Sequence, residues 1–443
     1  MKRKRRGRPG TSRSAMAALV GASVLLAGVV TACGTPDPGP AASCSWMART
    51  ADPVRTAKTA DPSKAASPAK TAADSGSSVV LVDDSTSVQG SAGGQQGRDY
   101  AAAAKDAIAE LVGRRDTFSV GAFSGDAGRI TWIARDQSAD WKLDNPDPDN
   151  RTERQKEAAD CLAKDISDAE RGNPTGGGTD VLAAMTSGVG ALAADSGATN
   201  RHLVVLTDGL STTGCADLRS AGFRTDEEIT AIAGVCAARR EIPALHAVKT
   251  EIIGLAQSAS DQKKPSALQR DWLADLWTAL CAKGGGACAV PPVTVDTTRR
   301  TRTVAGAARD PLVGYGDGRV RTYSLPGAAL FATDSWAVRD SARAVLTTIA
   351  VSARTVDGSR VVVDGYVDPR GGPGNNHQLS QARADAVGGV LRELGATHVT
   401  TRGLGVAPGC PAATGRAAPD PDQADPDQAL QCDRRVDINI IGQ

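Results

Sequence analysis

The sequence of 443 residues lacks the short motifs on which many hydrolases and nucleotide-binding enzymes depend. It has no G-x-S-x-G nucleophile elbow, no P-loop and no H-E-x-x-H zinc motif. Its four histidines, His202, His246, His377 and His398, are scattered, and we expect His202, which precedes a strand, to lie at the surface. Gly188-Val189-Gly190 with Ala193 imitates part of a dinucleotide fingerprint, but it follows a helix-like segment rather than a strand. We therefore expect a protein that is not an enzyme.

Long apolar runs are also missing, apart from one near the start of the chain. Residues 15–30 are mostly apolar, follow seven Lys or Arg with no acid before residue 33, and lead into Val30-Thr31-Ala32-Cys33. The run is shorter than the roughly 20 residues that cross a membrane comfortably. The pattern resembles a bacterial lipoprotein signal, which implies that 1–33 is a signal peptide and that Cys33 carries the lipid. An ordinary secretory signal and an uncleaved anchor stay open, as does the export route, since no twin-arginine motif with its hydrophobic pair is evident.

Neither sign of charge dominates. The whole chain has a formal charge of +1, but without residues 1–33 it keeps 44 basic and 50 acidic residues, a charge of −6. A nucleic-acid partner is therefore disfavoured.

C-x-x-C pairs and Cys/His clusters are absent, which argues against zinc. Besides Cys33 there are eight cysteines, and an even number suits an oxidising compartment. We expect Cys281 to pair with Cys288 across a glycine-rich turn, and Cys410 with Cys432 across a Pro/Asp-rich loop. By elimination, Cys215 is left with Cys236 and Cys44 with Cys161.

What the chain does contain begins with Val79 to Val88, V-V-L-V-D-D-S-T-S-V, which predicts a buried strand that ends at a carboxylate. Asp83, Ser85 and Ser87 follow at every second position and can converge on one divalent cation. Further oxygen ligands are offered by Thr179 in G-G-G-T-D (176–180) and by Asp208, which follows the apolar strand Leu203 to Leu206. Taken alone, D-x-S-x-S could also be a polar strand end that caps a helix.

These segments together resemble the metal-ion-dependent adhesion site of the von Willebrand factor type A domain. All five positions of that motif are filled, by Asp83, Ser85, Ser87, Thr179 and Asp208. The resemblance implies a Rossmann-like α/β domain, Mg²⁺ or Mn²⁺ in the site, and an unknown protein partner whose carboxylate completes the coordination shell.

The order of strand and helix signals sets the domain boundaries. Residues 34–77 are rich in Pro, Ala, Ser, Thr, Asp and Lys and predict a disordered tether, spanning about 35 to 40 Å as a coil and about 145 Å fully extended. Only Cys44 and Trp46 are suited to dock onto the first domain. Residues 78–297 alternate strands and helices, which predicts a mostly parallel sheet wrapped by helices. The strands are expected at 79–82, 118–123, 130–134, 203–206, 251–255 and 289–295. An amphipathic helix is expected with Tyr100, Ala104, Ile108 and Leu111 on one face, and the last helix at about 267–282.

Residues 298–325 predict a linker with some strand character at 319–323, and 326–443 predict a smaller α+β domain. In the linker, the basic cluster Arg299, Arg300 and Arg302 could touch anionic wall polymers or form a solvated face. The final domain shows a short strand and turn at 329–335, then a helix with Val338 to Ile349 on its face, a strand at 360–366, a helix around 379–394 and an alternating strand at 433–440.

A longer pattern in this last domain resembles the OmpA-like peptidoglycan-binding domain. The matching positions are Asp368, Gly371, Asn376, Leu379-Ser380 and Arg383. The resemblance implies that Asp368 and Arg383, with Asn376 beside them, bind the amino and carboxylate groups of diaminopimelate in the peptidoglycan stem peptide. Tyr366-Val367 and Asp433 depart from the family's usual His-Thr and Asn. Asp368 and Arg383 could instead pair with each other or cap the helix.

These resemblances lead to one expectation of function. The protein would be an exported lipoprotein anchored to the bacterial cell membrane, facing the cell wall, which binds peptidoglycan and presents a metal-dependent protein-binding domain. The alternative is a surface adhesin or receptor whose last domain is only a spacer. A wall hydrolase is a third possibility, for which the sequence offers no catalytic constellation.

Overall fold

Two main β-sheets organise the chain in the computed structural model. The described residues are 44–47, 76–90, 96–125, 129–141, 147–172, 174, 177–195, 197–260, 262–301, 310–316, 318–333, 335–407, 430 and 433–442. They all belong to one unit of the chain, residues 42–443. The predicted signal peptide, Cys33, Cys410 and Cys432 lie outside the described residues.

The described strands are β1 (Gly76–Asp83), β2 (Gln96–Arg98), β3 (Thr117–Phe123), β4 (Thr131–Ser138), β5 (Asn200–Leu206), β6 (Val248–Ile253), β7 (Cys288–Ala289), β8 (Thr297–Thr301), β9 (Val320–Pro326), β10 (Arg360–Val367), β11 (Val399–Val406) and β12 (Arg435–Ile441).

The described α-helices are α1 (Thr86–Gln89), α2 (Tyr100–Ala103), α3 (Lys105–Arg114), α4 (Pro148–Glu170), α5 (Val181–Ala194), α6 (Asp226–Arg239), α7 (Ala267–Lys283), α8 (Gly327–Leu330), α9 (Asp340–Arg354) and α10 (Pro373–Glu393). A 3₁₀ turn, Cys44–Met47, precedes them. None of the described helices is both long enough and apolar enough to cross a bilayer.

The first sheet has six strands in the order β4-β3-β1-β5-β6-β7. Every residue of β1 is buried, as expected for a central strand covered by helices on both faces. β1 is parallel to both neighbours, β3 and β5, and only the edge pair β3–β4 is antiparallel. The prediction of a mostly parallel sheet is thus confirmed. A separate pair, β2 and β8, is antiparallel.

The second sheet has the order β11-β10-β12-β9 and carries α10 and α9. β10 runs parallel to β11, whereas β10–β12 and β12–β9 are antiparallel. The segment predicted as a linker therefore contains an edge strand of this sheet, β9, as well as β8. β11 was not predicted, because its exposed alternate residues and two glycines give it little apolar character.

Two predicted elements differ in the structure. The expected strand at 289–295 pairs only at Cys288–Ala289, since Pro291 and Pro292 follow and cannot donate to a ladder. In place of the short strand expected at 329–335, the chain forms helix α8, after which Phe331 makes a single bridge with Val338.

The two sheets are joined by side chains that cross between them. Helix α6 of the first sheet packs on α9 of the second, and buried apolar residues of both belong to one continuous cluster. Within this interface the Arg321 Nε of β9 lies 3.2 Å from the Glu228 Oε1 of α6, and Glu228 is almost fully buried. Moving the two sheets apart would break this buried ion pair and leave an uncompensated charge on each partner. The pair therefore opposes separation of the two sheets.

Three disulfide bonds link the described residues. Cys281–Cys288 is present as predicted, and Cys215–Cys236 and Cys44–Cys161 match the pairs left by elimination. The last of these fastens the 3₁₀ turn to α4. There Met47 is buried and the guanidinium carbon of Arg154 lies 3.7 Å from the Trp46 ring centroid, so the expected docking of Cys44 and Trp46 is confirmed.

The expectation that His202 lies at the surface is wrong, because the residue is only 2% exposed on β5. Its Nδ1 lies 3.0 Å from the Arg114 Nη2, and its Nε2 lies 3.8 Å from the Glu251 Oε2. Burial, followed by the positive charges of Arg114 and Lys249, lowers the pKa of His202 to about 4.

This buried histidine predicts a loss of stability in acid. The unfolded chain takes up a proton near pH 6.5 and the folded chain only near pH 4, so the free energy of unfolding should fall as the pH drops between these values, by up to about 3 kcal/mol. Urea unfolding at pH 8, 6 and 4 would measure it. In His202→Gln this part of the pH dependence should vanish, with His246→Gln, at an exposed position, as the control. Parallel pH profiles for the wild type and His202→Gln would contradict the assignment.

Candidate metal centre and ligand site

The two predicted aspartates lie side by side at one edge of the first sheet. β1 ends at Asp83, and its register with β5 pairs Val82 with Leu206, so Asp208 emerges just beyond the neighbouring strand. After β1 the chain turns to β3 on one side, and after β5 to β6 on the other. Crevices outside the carboxyl ends of strands at such a switch are where open α/β sheets bind ligands.

Short hydrogen bonds hold both carboxylates in place. The Asp83 Oδ2 accepts from the Thr207 Oγ1 at 2.7 Å and its Oδ1 from the Ser85 amide at 3.0 Å. The Asp208 Oδ2 accepts from the Ser258 Oγ at 2.7 Å, and its Oδ1 accepts from the backbone of the loop that follows.

The three predicted hydroxyls converge on the same place. The Ser85 and Ser87 Oγ atoms are 3.0 Å apart, and the Ser87 side chain also bonds to Asp208. Thr179, fully buried, is held because its amide donates to the Thr212 Oγ1 at 2.9 Å and its carbonyl accepts from the Thr212 amide. Gly178 before it has φ +98°, and an added Cβ would lie 2.9 Å from the Thr212 Oγ1, so this loop conformation requires glycine.

The electrostatics of the site favour a cation. Burial, and next the charge of Asp208, raise the pKa of Asp83 well above its usual value, and burial raises that of Asp208. Neither carboxylate forms an ion pair with any described Lys, Arg or His. The Tyr100 hydroxyl, fully buried near both, has no hydrogen-bond partner among the described residues.

A third carboxylate, Asp310, enters this site and was missed by the sequence analysis. It lies in the segment predicted as a linker, between β8 and β9, and is 8% exposed. Its carboxylate accepts hydrogen bonds from Ser87, Gly178 and Thr179. The only available signal was an acid within a mainly basic segment.

The donor set fits a hard divalent cation. It combines carboxylate and hydroxyl oxygens, which Mg²⁺ and Mn²⁺ prefer, without a nitrogen or sulfur ligand. It is not a dense cluster of acids, and no group of three or more His, Cys, Asp or Glu placed to share a metal occurs in the described part of the chain. The hydroxyls of Ser85, Ser87 and Thr179 would supply the remaining oxygen ligands.

In the second domain, Asp368 follows β10 directly and lies at the start of the turn to α10. Its Oδ2 lies 2.9 Å from the Arg370 Nη2 and 3.5 Å from the Arg434 Nε, and its Oδ1 accepts from the Arg370 amide. Burial raises the pKa of this carboxyl, but the hydrogen bonds and charge of Arg370, with the charge of Arg434, outweigh it and bring the pKa below its usual value. The carboxylate is therefore ionised at neutral pH.

Arg383 and Asn376 lie on α10, and both are buried. The Arg383 Nε donates to the Ser335 carbonyl at 3.2 Å, and its guanidinium carbon lies 5.3 Å from the Phe331 ring centroid. The backbone N–H of Asn376 donates to the Gly372 carbonyl in the first turn of the helix. Ser380 is fully buried, and its Oγ accepts from the Gly405 amide of β11, which fixes α10 on the sheet.

Asp368 and Arg383 do not pair with each other, since Asp368 is bonded to Arg370 and Arg434 instead. The alternative that the two merely neutralise one another is therefore wrong. Arg370, Arg434 and Phe331, which hold the two predicted ligand residues, were not singled out from the sequence.

Comparison with known proteins identifies part of this second domain. Residues 330–407 match the model of the OmpA family. Outer-membrane lipoprotein YfiB from Pseudomonas aeruginosa is 34% identical over 86 residues, which are 19% of this chain and 51% of that protein. The chain thus spans about half the length of the curated relative that it matches. The C-terminal domain is OmpA-like, and β9 and β12 of its sheet lie outside the matched residues.

Two solved structures are also similar to part of this chain. The cell wall anchor of the T6SS from Pseudomonas aeruginosa is 27% identical, with a TM-score of 0.22, covering 28% of this chain and 82% of that one. The peptidoglycan-associated lipoprotein from Burkholderia pseudomallei is 26% identical, with a TM-score of 0.20, covering 25% of this chain and 86% of that one.

The turn between Asp368 and α10 predicts a sharp sensitivity at Gly371. Its φ is +100°, and an added Cβ would lie 2.9 Å from the Asn376 Oδ1. Gly371→Ala should therefore lower the free energy of unfolding by about 1 to 3 kcal/mol in urea titration. The control is Gly374→Ala in the first turn of α10, where a Cβ meets nothing within 4 Å and the change should be neutral or slightly stabilising. Equal effects at the two positions would contradict this account.

Proposed function

We propose that the protein is a cell-envelope lipoprotein without enzymatic activity that joins peptidoglycan to a protein partner. The lipid at Cys33 would hold it to the cell membrane, the OmpA-like domain would bind the wall, and the first domain would present a metal-dependent protein-binding site. The observation that carries the proposal is the OmpA-like domain with Asp368 after β10 and Arg383 on α10, both buried and held by separate partners.

The chemistry of these two residues suits diaminopimelate. The free end of its side chain is a zwitterion, with an ammonium and a carboxylate on one carbon, and so calls for an anion and a cation at fixed positions. Asp368, kept ionised by Arg370 and Arg434, offers the anion. Arg383 offers a planar guanidinium, which can bind a carboxylate through two parallel hydrogen bonds. The names of YfiB and of the Burkholderia lipoprotein are consistent with an envelope role for a domain of this kind.

Arg370 has a distinct part in this scheme. Its side chain is about half exposed and binds the Asp368 carboxylate, where the ligand's ammonium would bind. The ammonium would therefore displace the Arg370 side chain from this carboxylate. Arg434 lies further from the carboxylate and would stay.

The first domain is proposed to be of the von Willebrand factor type A class. Its strand order and the position of Asp83, Ser85, Ser87, Thr179 and Asp208 at the switch point support this assignment. These residues would hold Mg²⁺ or Mn²⁺, which supplies a Lewis-acidic position for a carboxylate of the partner. Asp83 and Asp208 balance its charge, while Thr207 and Ser258 orient them. Two sites on one anchored chain also raise the effective concentration of each, so modest affinity for the wall would suffice.

Binding to the wall is tested by co-sedimentation of the protein with purified diaminopimelate-type peptidoglycan. Asp368→Ala and Arg383→Ala should each abolish sedimentation, because each removes one half of the zwitterion site. Arg370→Ala should bind at least as well as the wild type, because it removes the competing cation.

The matched control is Arg343→Ala, which removes an exposed arginine of the same domain. Arg343 pairs with Glu393 at the end of α10, about 30 Å along the helix from its start. Circular dichroism of each variant checks that it is folded. Binding by all variants would place the wall site elsewhere, and binding by none, wild type included, would favour a surface adhesin with the domain as spacer.

Metal binding is tested on the first domain's stability. Mn²⁺ at 100 times its dissociation constant should raise the free energy of unfolding by about 2.7 kcal/mol, and EDTA should reverse the gain. Asp83→Ala and Asp208→Ala should lose this response. An unchanged unfolding curve of the wild type with Mn²⁺, Mg²⁺ or EDTA would refute the metal site.

A further inference from the structure

Asp310 makes contacts with two of the three segments that build the proposed metal site. Its Oδ2 accepts from the Ser87 amide and the Thr179 Oγ1, each at 3.1 Å, and its Oδ1 accepts from the Gly178 amide at 2.9 Å. The Ser85 hydroxyl also bonds to it. Its own amide donates to the Thr86 Oγ1 at 2.7 Å, so the backbone as well as the side chain is fixed there.

The position is costly for a negative charge without a cation. Asp310 is buried next to Asp83 and Asp208, whose charges oppose its own, and the described residues provide no Lys, Arg or His ion pair for any of the three. Hydrogen bonds alone compensate it. A divalent cation bound by Asp83 and Asp310 together with the neighbouring hydroxyls would offset these opposed charges.

We propose that Asp310 is an internal ligand of the metal site and occupies the coordination position that a partner's carboxylate would otherwise take. This inference rests on the metal site proposed above and adds its regulation. A partner must then compete with a carboxylate that is already tethered at the site, so the protein holds its own binding site closed until Asp310 withdraws.

Asp310 lies on the segment that connects the two sheets. From Asp310 the chain runs to Tyr315, which is buried with its ring centroid 5.0 Å from that of Phe223 and whose carbonyl accepts from the Gln269 Nε2 at 2.7 Å. The chain then enters β9, the edge strand of the OmpA-like sheet. Asp310 is thus carried by the covalent link between the two sheets, and its release would be coupled to movement of that link.

The experiment measures Mn²⁺ binding to the full chain by calorimetry, with and without acetate as a small free carboxylate. Asp310→Ala should weaken Mn²⁺ binding at least about tenfold, as loss of a metal-site partner typically does. Millimolar acetate should restore much of the lost affinity in this variant and leave the wild type unchanged. Water-proton relaxation should report an additional water on the bound Mn²⁺ in Asp310→Ala, which acetate removes.

Asp310→Asn, which keeps the shape and the hydrogen-bond acceptor, covers the case in which Asp310→Ala folds poorly, and should also lose affinity. Asp296→Ala, at an exposed acid just before β8, is the matched control and should behave as wild type. If Asp83→Ala abolishes Mn²⁺ binding but both Asp310 variants bind as wild type and ignore acetate, the internal ligand is refuted while the metal site stands. If wild type and Asp83→Ala alike fail to bind Mn²⁺, the metal site itself fails.

Discussion

The constraint on which the first domain depends is the parallel pairing of β1 with β5. Because parallel strands end at the same edge, and because each of these two leads into an aspartate, two carboxylates are forced together in a buried place. Neighbouring polar groups offset the repulsion between the two carboxylates. Thr207 and Ser258 donate hydrogen bonds to them, and Gly178 allows its loop to come close. Hydroxyls fill the remaining space, from Ser85, Ser87 and Thr179. A site of this composition adds nothing to a hydrophobic core, because its buried groups are polar or charged.

In the second domain, the carboxylate of Asp368 and the guanidinium of Arg383 bind different partners. Asp368 is held by Arg370 and Arg434, whereas Arg383 is held by a carbonyl and an aromatic face. The two domains are not independent supports for these sites. α6 and α9 share a core, and Arg321 and Glu228 form a buried pair across the junction, so force applied to the OmpA-like domain is transmitted to the sheet that carries Asp83.

The sequence predicted those features that depend on local pattern. The apolar run ending at Asp83 gave β1, and the spacing of Asp368 and Arg383 placed them at the end of a strand and on the following helix, as observed. Prediction failed where tertiary context decides. His202 is buried, with Arg114 of α3 and Glu251 of β6 beside its ring. β11 pairs through its backbone with few apolar side chains, and β9 joins a sheet whose partner strand lies over a hundred residues later. Asp310 was missed because its one local signal, an acid in a mainly basic segment, is shared with Asp317 and does not show that the side chain reaches a distant site.

The Cys44–Cys161 bond changes the length of chain between the proposed anchor at Cys33 and the folded domain. Counted along the backbone, the proposed anchor at Cys33 is separated from β1 by 43 residues, but from the bridged Cys44 by only 11. For a lipid on Cys33, as proposed, the shortest covalent path to the folded domain would therefore measure at most about 40 Å instead of about 150 Å. The disulfide therefore limits how far such an anchor could reach, and its reduction would lengthen the covalent path by roughly 110 Å on the same measure.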